Sequence, residues 1–168
     1  PYDDEGPRAR DTYLVKNGVL TGRLHSAATA AALDEAVTGN ARAISFEFEP
    51  IVRMTSTWIA GGTDTFESLL RGAEGGLYIP DFFHGSGMST FTIAPARAYR
   101  IRDGKPAEPV LVSVISGNVM QTLHQIDGAT AETELRSLFT GGCGKMEQWP
   151  LRVAFGGPYL RVRGLKVQ

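Results

Sequence analysis

Two dipeptides limit the fold most. Asn17-Gly18 separates the β-type run 12–16 from 19–24, and Asp103-Gly104 follows an alternating stretch, 89–101. A type I′ turn needs positive φ at both central residues. Asn-Gly and Asp-Gly tolerate that conformation, so they fold a chain back on itself as an antiparallel hairpin. Twenty glycines and nine prolines extend the same punctuation along 168 residues. Short strands joined by turns are the expected outcome.

Other segments fill in the pattern. Ser26 can cap an Ala-rich helix over 27–36, ended by Thr38-Gly39-Asn40. Residues 44–49 alternate apolar and acidic side chains, as a half-buried strand does, and 53–59 is a second β-type run. Asp64 and Glu67 form a capping-box pattern for a helix with Phe66, Leu69, Leu70 and Ala73 on one stripe. Residues 77–83 read as strand, 85–87 as loop, 109–115 as strand and 119–126 as a short helix. Residues 128–142 read as loop or edge structure. Runs 151–155 and 159–167 read as a closing hairpin around Gly156-Gly157-Pro158. The sum is one α+β domain over 1–168, mainly antiparallel and barrel-like, with two or three helices. Helices and strands do not alternate regularly, which argues against a doubly wound parallel sheet.

Composition narrows the function classes. Seventeen basic and eighteen acidic residues give a net charge of -1, without the basic stripe that nucleic acid or an anionic membrane would require. No apolar run approaches the roughly 20 residues of a membrane span. The single cysteine excludes an internal disulfide and fits a reducing compartment, so a cytoplasmic location is expected. Pro1 to Pro7 reads as a loop, an unusual start for a natural domain. A fragment, or one piece of a split protein, is expected.

Few residues carry chemistry by themselves. Cys143 lies in Gly141-Gly142-Cys143-Gly144-Lys145. The glycines allow close backbone approach, and a neighbouring lysine favours the thiolate, which is the metal-binding form. Local chemistry alone also fits a small residue packed in a turn. His25, His84 and His124 show no i+3 or i+4 pairing, and no His-Glu-x-x-His or Cys-x-x-Cys motif occurs. His84, beside Gly85-Ser86-Gly87, is the histidine best suited to line a cleft. Asp3-Asp4-Glu5 reads either as a solvated run or as a general base or hard-metal site. The run Arg53-Met54-Thr55-Ser56-Thr57-Trp58 reads as an amphipathic strand or as an edge that receives an extended peptide.

The order of motifs adds to this. Asp3-Asp4-Glu5-Gly6, Thr38-Gly39-Asn40, Arg53-Met54-Thr55-Ser56-Thr57 and Gly76-Leu77-Tyr78 come first. Ala98-Tyr99-Arg100-Ile101, Gly117-Asn118, Gly142-Cys143-Gly144-Lys145 with Gln148, and Gly157-Pro158 follow. This series resembles the C-terminal portion of the TldD/PmbA family over nearly the whole chain. The resemblance implies a zinc-dependent peptidase or amide hydrolase acting on unfolded peptides or peptide-derived small molecules. It implies Cys143 as the third zinc ligand. Two histidines and a general-base glutamate would lie on a helix preceding residue 1, so this chain alone is expected to be inactive. It implies as partners that missing N-terminal segment and a TldE/PmbA-type subunit or a second copy. The peptide-binding residues it points to are Arg53, Met54, Thr55, Thr57, Gly76, Tyr78 and His84. A non-catalytic subunit or interaction module that shapes a substrate chamber is the alternative reading. Relatives usually have a longer glycine-rich loop where this chain has His84-Gly85-Ser86-Gly87-Met88. The bulky Trp149 is a further departure and would reshape a substrate site beside Cys143.

Overall fold

A computed structural model of the chain describes residues 1–137 and 141–168. Residues 1–58 and 135–156 form one compact unit, and residues 59–134 and 157–168 another. Among the described residues there are three short helices, Ala27–Leu33, Phe66–Arg71 and Val119–His124; the rest of the regular structure is strand. The class is α+β with mainly antiparallel, open sheets.

The first unit is built from small sheets. Val15–Lys16 pairs with Val19–Leu20, and Ala41–Arg42 with Ile51–Val52. Cys143–Lys145 pairs with Gln148–Leu151. Ala154–Gly157 lies between Glu134–Ser137 and Ser56–Trp58, and its pairing with Ser56–Trp58 is parallel. The interior of this unit is unusually polar. His25, Ser26, Thr38, Asn40, Arg53 and Gln148 are all buried. Buried polar groups need partners. Here they find them largely in backbone: Asn40 Nδ2 donates to the Arg53 carbonyl and Thr38 Oγ1 accepts from the His25 N–H.

The acidic run is part of this scaffold. Asp3 accepts the Ala41 N–H at 2.9 Å, Asp4 the Ala43 N–H at 2.8 Å and Glu5 the Ala27 N–H at 2.7 Å. These carboxylates are neither simply solvated nor gathered into a cation cage. They tie the chain start to two neighbouring segments.

The second unit centres on a five-stranded sheet. Leu77–Gly87 is an edge strand; Thr90–Arg102 pairs with it, then with Ile115–Asn118 and, through its C-terminal half, with Lys105–Pro109. Lys166–Val167 closes the far side. Ala98, Val112 and Ile115 form the core, with Leu77, Ile79, Val110 and Leu165 packed against them. Ile126–Ala129 pairs separately with Leu160–Val162.

Both predicted turns take the left-handed conformation, with φ of 52° and 77° at Asn17 and Gly18 and of 51° and 66° at Asp103 and Gly104. Several boundaries differ from the sequence reading. Residues 44–49 bend instead of forming a strand, and Phe46 is 98% exposed. A turn bond from the Phe48 N–H to the Ser45 carbonyl and a side-chain acceptor, Gln148 Oε1, on the Ile44 N–H take the place of a ladder. Gly85-Ser86-Gly87 continues a strand instead of forming a loop, because residues 91–93 pair with it. Gly87 suits the tight reversal: an added Cβ would lie 2.4 Å from the Thr90 carbonyl oxygen. The first helix ends earlier than predicted, at a left-handed Asp34. Thr65 with Ser68, not Asp64 with Glu67, caps the second. Residues 110–114 connect strands without being one. The predicted closing hairpin does not form. Ala154–Gly157 pairs with Ser56–Trp58 and Leu160–Val162 with Ile126–Ala129, so the two runs join different, distant strands.

Candidate functional site

Cys143 opens a two-stranded hairpin, opposite Leu151, and Lys145 stands opposite Gln148 across a two-residue turn. Met146 takes the positive-φ position of that turn. The thiol is free and half-buried. Among the described residues its one hydrogen-bond contact is a long one, 3.8 Å, to the Gly144 carbonyl. The flanking glycines have steric reasons. A Cβ at Gly142 would lie 2.2 Å from the Leu151 carbonyl oxygen, and one at Gly144 would lie 3.0 Å from Trp149 Cδ1. Trp149 thus lies against Gly144, next to the cysteine, and is itself exposed.

Three cations hold this hairpin, and all three donate to carbonyl oxygens. Arg53 donates through Nη2 to Cys143 at 2.6 Å and through Nη1 to Gln148 at 3.2 Å. Arg42 donates to Met54 at 2.8 Å and Arg152 at 3.0 Å. Lys145 Nζ donates to Val52 at 2.8 Å. Burial pushes the pKa of the Arg42 guanidinium down, the Arg53 charge adds to that, and Asp4 and Cys143 oppose it. Cys143 therefore sits in the field of a guanidinium. Gln148 completes the frame. Its Nε2 donates to the Glu49 carbonyl and its Oε1 accepts the Ile44 N–H.

The residues singled out for peptide binding fall into two groups. Arg53, Met54, Thr55 and Thr57 share the cysteine's unit. The Arg53 side chain is buried, at 2% exposure, so its guanidinium serves the interior. The Met54 and Thr55 carbonyls accept from Arg42 and from the Ala154 N–H. Thr57 lies in Ser56–Trp58, exposed and at the edge of its three-stranded sheet. Gly76, Tyr78 and His84 lie in the second unit, in or just before the edge strand Leu77–Gly87. Gly76 accepts the Ile101 N–H, and His84 is exposed opposite Ala94. Tyr78 belongs to an aromatic group with Phe66, Tyr99 and Tyr159. Burial, then its hydrogen bond to Tyr159, pushes its phenol up to about 12.

Arg42 was not among the residues singled out, and no local signal marks it. Among the described residues, no three His, Cys, Asp or Glu side chains come together as a metal cage. What this chain offers a zinc ion is one soft donor, Cys143, on a braced hairpin near cationic groups. That suits a single thiolate ligand and does not make a complete site among the described residues.

The family model of the PmbA/TldA metallopeptidase C-terminal domain matches residues 1–168. The chain belongs to the PmbA/TldD metallopeptidase family. A Synechocystis protein named a metalloprotease is 44% identical to this PmbA/TldD domain over 167 residues, covering 99% of this chain and 36% of that protein. A Saccharolobus solfataricus protein named a zinc metalloprotease TldD homolog is 33% identical over 168 residues, covering 99% and 37%. The structure of TldE from Thermococcus kodakarensis superposes with a TM-score of 0.78 at 20% identity, covering 99% of this chain and 35% of that one, a likeness of fold. The PmbA/TldD domain thus spans little more than a third of the length of these relatives. No helix among its described residues is long and apolar enough to cross a membrane.

Proposed function

We propose that this domain is the C-terminal part of a zinc-dependent peptidase or amide hydrolase, with Cys143 as its zinc ligand. The observation that carries the reading is the Cys143 hairpin. Its backbone is fixed by a buried guanidinium, while its thiol remains free and partly accessible. A ligand must keep its place without being consumed by internal bonds, and this residue meets both conditions. Membership of a metallopeptidase family, and the zinc metalloprotease among its relatives, support the choice of metal.

Two histidines and a general-base glutamate would come from a segment outside residues 1–168. Zinc bound there would supply Lewis-acid polarisation of the amide carbonyl and a water acidified toward about 7. The residues of this domain would hold the ligand and align the substrate. An unfolded peptide, or a peptide-derived amide, would lie as an added strand along an exposed edge such as Ser56–Trp58. Gly76, Tyr78 and His84 would serve a second such edge. The partner closing the chamber would be a TldE/PmbA-type subunit or a second copy, in the cytoplasm.

The test is the zinc content of the full-length protein. Cys143→Ala is expected to bind zinc more weakly, so that the isolated variant carries little metal and little peptide or amide hydrolysis. Full zinc occupancy in that variant refutes the reading.

A further inference from the structure

We infer that Arg53 is a positioning residue for Cys143: its buried guanidinium fixes the backbone from which the thiol projects. The inference rests on the zinc-ligand reading of Cys143 and adds to it a role for an interior side chain.

Arg53 lies in the first unit at 2% exposure. Among the described residues no carboxylate is within ion-pair distance of it, and its Nε is buried without a hydrogen-bond partner. This is a costly arrangement. A buried charge without an ionic partner carries a desolvation cost that an apolar side chain of similar volume would not. Simple filling of space therefore does not explain a guanidinium here. Its geometry does. The two terminal nitrogens reach the carbonyls of Cys143 and Gln148, one on each strand of the hairpin. A planar fork with fixed donor directions sets the separation of two acceptors in a way a lysine ammonium cannot. With the Cys143 carbonyl held at 2.6 Å, the peptide plane is fixed and rotation about the Cα–Cβ bond is the freedom left to the sulfur.

The Arg53 backbone is itself anchored. Its N–H donates to the Asn40 carbonyl at 2.9 Å, and Asn40 Nδ2 donates to its carbonyl at 3.3 Å. Lys145 and Arg42 hold the hairpin at other points, through Val52 and through Arg152. Those anchors remain when Arg53 is changed, so the hairpin should persist with a looser cysteine. Groups that orient a metal ligand from behind typically cost about 10–100-fold in affinity when removed.

The experiment is a double-mutant cycle on zinc affinity in the full-length protein, read by competition with a chromophoric chelator. Arg53→Lys is expected to weaken zinc binding about tenfold or more when Cys143 is present. In the Cys143→Ala background, where the remaining ligands bind more weakly, Arg53→Lys is expected to change nothing further. An equal loss in both backgrounds, or no loss in a folded Arg53→Lys protein, overturns the inference. Unchanged affinity in Cys143→Ala alone refutes the ligand assignment itself, and the positioning role falls with it. If Arg53→Lys does not fold, Asn40→Ser takes its place in the cycle. That change loosens the Arg53 backbone and leaves its guanidinium present, and the same pair of outcomes decides.

Discussion

The imidazole Nε2 of His25, a residue 2% exposed, lies 2.8 Å from Glu35 Oε2. The other ring nitrogen meets Thr29 Oγ1 at 3.0 Å, and Arg23 binds the second Glu35 oxygen. One carboxylate thus ties the start of the first helix to the chain after its end. The hydrogen bond from His25, followed by the Arg23 and His25 charges, holds the Glu35 carboxyl below its ordinary 4.5 against an opposing effect of burial. A depressed carboxylate stabilises the fold fully above the unfolded value and loses that effect as pH falls through the native one. Glu35→Gln should therefore lower the thermal midpoint at pH 7. The gap from the parent should close as pH drops below about 4.5. Thermal denaturation across that range checks it, and a constant gap contradicts it.

Tyr78 and Tyr159 join their hydroxyls at 3.4 Å. Because burial is the larger cause of the Tyr78 shift, Tyr159→Phe should bring its titration down from about 12 without returning it to 10.0. Tyrosinate absorbance followed by alkaline titration reads the change. The raised value stabilises the fold below pH 10.0 and ceases to do so as pH rises through about 12.

Gly142→Ala should damage the cysteine hairpin, since the new methyl would lie 2.2 Å from backbone at Leu151. The expected cost is about 1–3 kcal/mol, together with loss of zinc. Gly141→Ala meets nothing within 4 Å among the described residues and should stay within about 0.5 kcal/mol. Chemical denaturation and metal analysis of the pair separate a steric role from general sensitivity of the loop.

Asp3→Ala should cost about 1 kcal/mol, because the Ala41 and Glu5 N–H groups lose their acceptor. Zinc content should not change. A fall in metal at full folding would restore the acidic run as a metal site.

The parts legible in the sequence are those decided by nearest neighbours. Asn17-Gly18 and Asp103-Gly104 form the expected turns because positive φ is a property of the residue and its immediate chain. Ser26 caps its helix for the same reason. Gly142 and Gly144 flag the crowded backbone around Cys143. The interior role of Arg53 is not legible, because its acceptors are carbonyls 90 and 95 residues away and every residue type has a carbonyl. Arg42 is hidden for the same reason, with one acceptor 110 residues on. The alternation of 44–49 is misleading: it matches a strand, but among the described residues no strand pairs with it and Gln148 takes the Ile44 N–H instead.

The division of the first unit sets an order of assembly during synthesis. Residues 1–58 leave the ribosome well before the segment that completes their unit, 135–156, which follows only after the whole of 59–134. Until then the Arg53 guanidinium lacks both of its carbonyl acceptors. Closing contacts across such distances is slow compared with local folding. The hairpin that carries Cys143 therefore closes only after the whole of 59–134 has been made, and the cysteine takes its place late in the maturation of its unit.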